Sequence, residues 1–463
     1  MLSQKSKGIL TLAGTVLTHL IIGNILGFSN IIPYLKSYLY YQNSNITEED
    51  LFFISPIAIS IANILPIITG FLDNFYGTKF LLIVGMMLLV ISQLLVYTYI
   101  TNYKILVLAY ILFGICNSLT YLPNLKNCWK YFPEKKGLVT GLVLSSFGLS
   151  AFIFTAIGDY IINPESKPKN NQKVYSEEIA NKCLDYIQFY LYSICILGIL
   201  ASIMVFTFKD ENKEEKKNEI ETNDLGLNMP ILNFDKIETV ENKNNEKSVK
   251  IVEHDINQKS DTNYPSLIQC IFSKEFLLCL IIVPCTTLFG NALPNLYRTF
   301  GSIKFKEEYY LQILSKCFTL LNTIARIIWG WILDKYGFTI PYFIVCINQI
   351  ICSGFFYHAS SSLITYYLVC CFGVLSYAGH FILFPNLINK KFGVDNSVIL
   401  LGICGFLVAF TSILGPILIK IIVKNKEDYF IYFIINCCAT IISAILIWFI
   451  KYEKYEIKLK KYK

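Results

Sequence analysis

The residues with the most chemical potential lie in one stretch, Asn322-Thr-Ile-Ala-Arg326-Ile-Ile-Trp329-Gly330-Trp331-Ile-Leu-Asp334-Lys-Tyr-Gly337. It closes an apolar run that begins near Tyr309, long enough at ~1.5 Å per residue to cross a hydrocarbon core ~30 Å thick. Arg326 is therefore expected inside a membrane helix, where a charge costs roughly 2.5 to 3.5 kcal/mol and marks a functional site by default. Of the 40 Lys and Arg residues, only Arg298 and Arg326 are arginine. A planar, permanently charged fork that grips a carboxylate bidentately is what Arg offers and Lys does not. Two roles fit: binding an anion that enters the membrane, or pairing with a helix-end carbonyl or a neighbouring acid. Asn322, four residues earlier, shares a helix face with Arg326 and can orient the guanidinium or donate to a ligand. Asp334 is expected beside the positive N-terminus of the helix beginning near Phe338, where a carboxylate gains ~0.3 to 1 kcal/mol. Contacts of that kind, made in one conformation only, would form a gate.

Positioning these groups falls to hydrophobic spans. The 463 residues are 54% hydrophobic and 16% charged, against ~45 to 50% apolar and ~25% charged in soluble domains. This composition specifies a polytopic all-α membrane protein. Twelve spans are legible, at about 8–35, 51–72, 80–100, 105–125, 138–158, 187–208, 275–297, 309–333, 338–357, 363–384, 396–423 and 429–450. The charged start and apolar run of 1–28 imitate a secretory signal, but the run is longer than an h-region and leads into further spans. Between spans six and seven, 209–264 is crowded with Lys, Glu and Asn and is expected to be a disordered linker. The expected domains are an N-terminal six-helix bundle (1–208), that linker, a C-terminal bundle (265–451) and a basic tail (452–463). The 15 cysteines fall mostly in apolar runs without CxxC spacing, so neither a disulfide framework nor a metal site is expected.

Lysines set the orientation. Lys5, Lys7, Lys79, the group Lys126, Lys130, Lys135 and Lys136, the pair Lys390 and Lys391, and the tail fall on one side, whereas the opposite loops mix acids with their lysines. Both termini and the linker are thus expected in the cytosol, with the chain in the plasma membrane or an organellar membrane. The halves also repeat one another. Gly70–Gly77 (GFLDNFYG) recurs as Gly330–Gly337 (GWILDKYG), and Pro123-Asn124-Leu125 recurs as Pro385-Asn386-Leu387. A duplicated, two-half transporter has this pattern. No nucleophile elbow, metal spacing or phosphate loop suggests an enzyme, and neither a cofactor nor a nucleic-acid partner is expected.

At these residues the chain resembles the major facilitator superfamily, and within it the monocarboxylate transporter and oxalate/formate antiporter-like group. Tyr131-Phe-Pro-Glu-Lys-Lys-Gly137-Leu-Val-Thr-Gly141 is similar to that group's entry to helix five, and Asn322–Gly337 to its N-x-x-G/A-R-x-x-W-G pattern. Phe381-Ile-Leu-Phe-Pro385 resembles its end of helix ten, and Asn74-x-x-Gly77 its loop after helix two. The resemblance implies two pseudo-symmetric six-helix bundles working by alternating access around a cavity lined by helices one, four, seven and ten. It then implies Arg326, Asn322, Asn117, Tyr121, Asn291, Asn295 and Tyr377 as solute contacts and His380 as the proton-coupling candidate. Asp73, Asn74, Gly77, Asp334, Gly337, Lys135 and Lys136 would serve as gating residues.

Departures narrow the solute. Asn322 stands where monocarboxylate transporters keep a titratable Asp, and Val408 where the oxalate pattern has a Lys. One fixed cation suits one carboxylate. The expectation is a carrier of a small organic monoanion, lactate or pyruvate in size, moved alone, with a proton or by exchange. Alternatives are a carrier of amino acids or drug-like solutes, or a solute sensor on the same scaffold; an accessory subunit has no signature.

Overall fold

Runs of Leu, Ile, Val and Phe between short polar turns leave the backbone no partner in a bilayer but itself, and helix follows. A computed structural model describes residues 3–208 and 266–450, apart from 166, 168–169, 171–173 and 306–307. The expected linker (209–264) and basic tail (452–463) lie outside the described residues.

The first expected span is a broken helix: α1 (Gln4–Ile22), a 3-10 turn over Gly23–Gly27, and α2 (Phe28–Tyr41). The second is also broken, into α3 (Glu48–Ile64) and α4 (Pro66–Tyr76), bent by 51° at a break that Pro66 closes. A proline lacks the N–H that would continue the ladder and suits the first position of a new helix. Spans three to six are α5 (Thr78–Tyr99), α6 (Tyr103–Tyr131), α7 (Lys136–Ile162) and α8 (Glu177–Met204). After a short α9 (Leu267–Ile271) come α10 (Lys274–Lys304), α11 (Glu308–Tyr336), α12 (Thr339–Ala359), α13 (Leu363–Phe392), α14 (Val394–Ile422) and α15 (Tyr429–Leu446). Among the described residues nine helical runs are long and apolar enough to span a membrane, ten with the bent α3/α4 pair. The more polar α10 and α11, at 31 and 29 residues, complete a twelve-helix bundle.

Three apolar cores hold this bundle, and their distribution gives it a polarity. Around the turns that carry Lys135 and Lys390, one core joins Trp129, Val143 and Leu144 of the first half to Leu333, Phe338 and Leu387 of the second. Toward the other end the halves keep separate cores, one around Phe113, Phe154 and Tyr190, the other around Phe300, Phe356 and Phe433. The lysine-rich end is therefore closed by shared packing, whereas among the described residues the cores toward the opposite end stay within one half.

Candidate solute site and gate

The closest approach between the halves is the crossing of α7 with α11, the most extensive helix pairing in the molecule. Gly137, Gly141 and Ser145 recur every fourth residue on α7, and Gly330 faces them from α11. A Cβ on Gly137 would sit 2.4 Å from the carbonyl oxygen of Gly330, and one on Gly141 would sit 2.7 Å from that of Arg326. Small residues at this spacing let two backbones touch, the usual device for helix packing in lipid. Ser145 Oγ donates to the Thr323 carbonyl at 2.9 Å. This contact fixes the rotation of α11 and turns Arg326 toward the first half.

Arg326 is 3% exposed. Its Nη1 donates to the Leu144 carbonyl of α7 at 2.5 Å, and its Cζ lies 5.3 Å from the centre of the Phe381 ring. Tyr121 of α6 and Tyr377 of α13 are the ionisable groups that face it. Among the described residues no carboxylate pairs with it, and its Nε has no hydrogen-bond partner. One turn earlier, buried Asn322 Oδ1 is also unpartnered. Arg326 is thus held by a mid-helix carbonyl across the junction of the halves rather than by an acid. Tyr377 packs against Gly290 of α10 and on Phe381, at a ring separation of 5.0 Å. Tyr121 packs on Phe147 of α7 at 5.2 Å and on His19 of α1 at 4.9 Å. Tyr121, Phe147, Tyr377, Phe381 and Asn322 are only partly buried, so the guanidinium sits behind aromatic and amide groups that retain accessible surface. Asn117 lies one turn before Tyr121 on α6, buried. Asn291 and Asn295 fall on α10, but their side chains lie outside the described residues.

At the lysine-rich end two polar clusters bridge the halves. Asp334 does meet a helix N-terminus, but that of α7 in the other half and not that of α12, as local sequence suggested. Gly137 N–H donates to its Oδ1 and Leu138 N–H to its Oδ2, each at 2.7 Å. These amides belong to the first turn of α7, which has no intrahelical acceptor to offer them. Lys135 and Lys390 are near enough to act on the carboxylate. Lys136 Nζ donates to Asn389 Oδ1 at 2.6 Å, and Asn386 Nδ2 to Thr140 Oγ1 at 3.0 Å. In the second cluster, buried Lys126 bonds Asp73 Oδ2 at 2.8 Å and Asn74 Oδ1 at 2.7 Å. Asp395 of α14 reaches Lys126 at 3.9 Å and Lys130 at 2.9 Å. Gly77 and Gly337 end α4 and α11 with φ of 79° and 76°, a left-handed conformation that glycine adopts without strain.

His380 stands apart from Arg326's neighbours. Its Nε2 is 2.7 Å from Gln349 Oε1 of α12, and its ring meets Tyr342 edge-on at 5.7 Å, so it packs between α12 and α13. The histidine in contact with the Arg326 surroundings is His19, which the sequence did not single out. A clue was present: Thr11, Gly14, Thr15 and Thr18 give α1 a face of small residues, all buried here, that hints at close packing around it.

Twelve spans, halves joined at a glycine crossing, and a buried cation at that crossing define the class: a two-half secondary transporter. Residues 18–416 match the family model of the Major Facilitator Superfamily. The chain belongs to that superfamily, whose members are transporters and not enzymes, and it is an integral multi-pass membrane protein. Among curated sequences it is similar to an uncharacterised MFS-type transporter, YhjX, of Escherichia coli (strain K12), 29% identical over 154 residues. It also resembles an agnestins efflux protein of Paecilomyces divaricatus, 24% identical over 163 residues. These matches take in 33% and 35% of this chain, and just 37% and 36% of the relatives' lengths. The fold is similar to that of the E. coli fucose:proton symporter FucP, solved in an outward conformation, with a TM-score of 0.65 and 13% identity over 96% of this chain and 100% of that one. The proton:xylose symporter aligns over 97% of each chain at a TM-score of 0.64 and 13% identity.

Proposed function

We propose that this facilitator carries a small organic monoanion, a monocarboxylate of the size of lactate or pyruvate, by alternating access, with its termini in the cytosol. The carboxylate docks on Arg326, with Asn322, Tyr121 and Tyr377 around it, and the halves rock about the α7/α11 crossing. Asp334, Lys136 and the Asp73–Lys126–Asp395 cluster close the cytosolic end while the site is open to the other side. What supports this reading above all is the state of Arg326: a charge taken out of water, with no carboxylate against it among the described residues and Nε unpartnered. A buried cation left in that state is costly, and a ligand carboxylate offsets the cost.

Uptake of labelled lactate and pyruvate into proteoliposomes, with and without a pH gradient, tests the proposal and reads the coupling mode. Arg326→Ala is expected to abolish saturable uptake while the protein still purifies as a folded monodisperse species, and Arg326→Lys to fail as well, because the fork is lost. Saturable uptake by Arg326→Ala would remove the anion site. Specific binding without flux would make the chain a sensor instead.

A further inference from the structure

At the end opposite the lysines, α7 carries a carboxylate that neither the solute site nor the gate uses. Asp159 lies in the last turn of α7 and is exposed. An acid there meets the negative end of the helix dipole, so its presence calls for a reason outside its own helix. Tyr34 of α2 donates to Asp159 Oδ1 at 3.2 Å, and one turn below, exposed Asn30 Nδ2 donates to Thr155 Oγ1 at 3.1 Å. These bonds form a polar seam between α2 and α7. Across from it, Lys316 of α11 is exposed and near enough to act on the Asp159 carboxylate. The two form no ion pair in this structure, and Lys316 has no other acid against it among the described residues.

The helix register explains why they face each other. α7 and α11 run antiparallel, with Gly148 against Thr323. Lys316 lies seven residues before Thr323, about 10 Å along the axis, and Asp159 eleven after Gly148, about 16 Å. The four-carbon stem of the lysine leans toward the N-terminus of its helix, which here is the same end of the molecule, and makes up the difference. Resting on the alternating-access part of the reading above, and on no particular solute, we propose that Asp159 and Lys316 are a latch, apart in this form and joined as an ion pair when the halves rock to close the end opposite the lysines. Asp334 then holds α11 to α7 at one end in one state, and Asp159 holds it at the other end in the alternate state. Tyr34 keeps the carboxylate aimed across the opening in the meantime.

The test reads opening directly. Asn30→Cys places a thiol on the seam one turn below the latch, in a chain freed of its exposed cysteines by Cys317→Ser and Cys438→Ser, and its labelling by a hydrophilic maleimide is timed in detergent. Asp334→Asn, which loosens the lysine-rich end, should populate the form closed at this end and slow labelling. In that background Asp159→Asn or Lys316→Met should each speed labelling about two- to fivefold, the worth of one partly exposed ion pair. Asp159→Lys combined with Lys316→Asp should return it to the Asp334→Asn rate. No acceleration in either single variant, or a reversed pair that labels as fast as the singles, would overturn the latch. Labelling as fast in Asp334→Asn as in its parent would instead defeat the alternating-access reading, and this inference with it.

Discussion

Replacing Asp334 by Asn tests the gate at the point where its chemistry is simplest. The carboxylate holds two amides, Gly137 N–H and Leu138 N–H, each at 2.7 Å. Asn keeps the shape and one acceptor, but turns the other oxygen into an NH2 group that faces a donor. One charge-assisted bond is lost, worth ~1.5 to 3 kcal/mol, together with ~0.3 to 1 kcal/mol of charge–dipole attraction at the N-terminus of α7. The side chain is partly exposed, and solvent screening brings the sum to the low end, about 2 kcal/mol. At 1.4 kcal/mol per tenfold, the ratio of closed to open forms at the lysine-rich end falls by roughly 30-fold. Hydrogen exchange read by mass spectrometry reports this directly, since among the described residues the two amides bond only to Asp334 in the closed form. A peptide covering 132–141 should exchange about 30-fold faster in Asp334→Asn, with peptides from α5 and α12 unchanged. Protection within twofold of the wild type would refute the view that Asp334 holds the two halves together. An equal rise in every helix would mean global loosening and refute it too.

Two further outcomes follow from packing alone. Lys126→Met strands buried Asp73 without its cation and is expected to cost about 3 to 5 kcal/mol, seen as a lower unfolding temperature in detergent, while Asp73→Asn with Lys126→Met should restore most of it. Gly137→Ala places a methyl 2.4 Å from the Gly330 carbonyl oxygen, so α7 and α11 must separate; thermal stability should fall by about 1 to 3 kcal/mol, as overpacking does elsewhere, and Arg326 should lose its hold on Leu144.

The spans and the arginine were legible in the sequence because both are signals of a single residue run: twenty apolar positions read as a helix, and one charge inside them reads as an exception. Asp334 shows where such reading stops. A carboxylate just before a helix start at Phe338 invites a local cap, yet its partners lie 196 and 197 residues away in sequence, brought close by the glycine crossing. The two histidines fail for a related reason. On an apolar helix a lone histidine gives no sign of which neighbour its ring meets; packing rotates His380 onto Gln349 and His19 onto Tyr121. The breaks at Gly23–Gly27 and Leu65–Pro66 were hidden in continuous hydrophobic runs, since hydropathy registers transfer into the membrane and says little about helix direction.

The arrangement also explains why cation and gate occur in one stretch of chain. Arg326 and Asp334 are eight residues apart on α11, about 12 Å at the helical rise, and both grip α7. Gly330 lies midway between them, where the two backbones touch. A helix in such close contact cannot bend smoothly between two anchors, so a change at one end must be passed to the other as a rotation about the glycine contact. If an anion draws the guanidinium off the Leu144 carbonyl, α7 loses one of its attachments to α11, and the Asp334 attachment then carries more of the closure. Linkage makes the relation reciprocal: whatever the anion does to the gate, loosening the gate does to anion affinity by the same factor. Asp334→Asn should therefore change the lactate dissociation constant although it lies a dozen ångströms from the carboxylate, by up to the roughly 30-fold shift in the closed-state ratio. An unchanged dissociation constant, alongside faster exchange at Gly137 and Leu138, would show that α11 does not join the two sites.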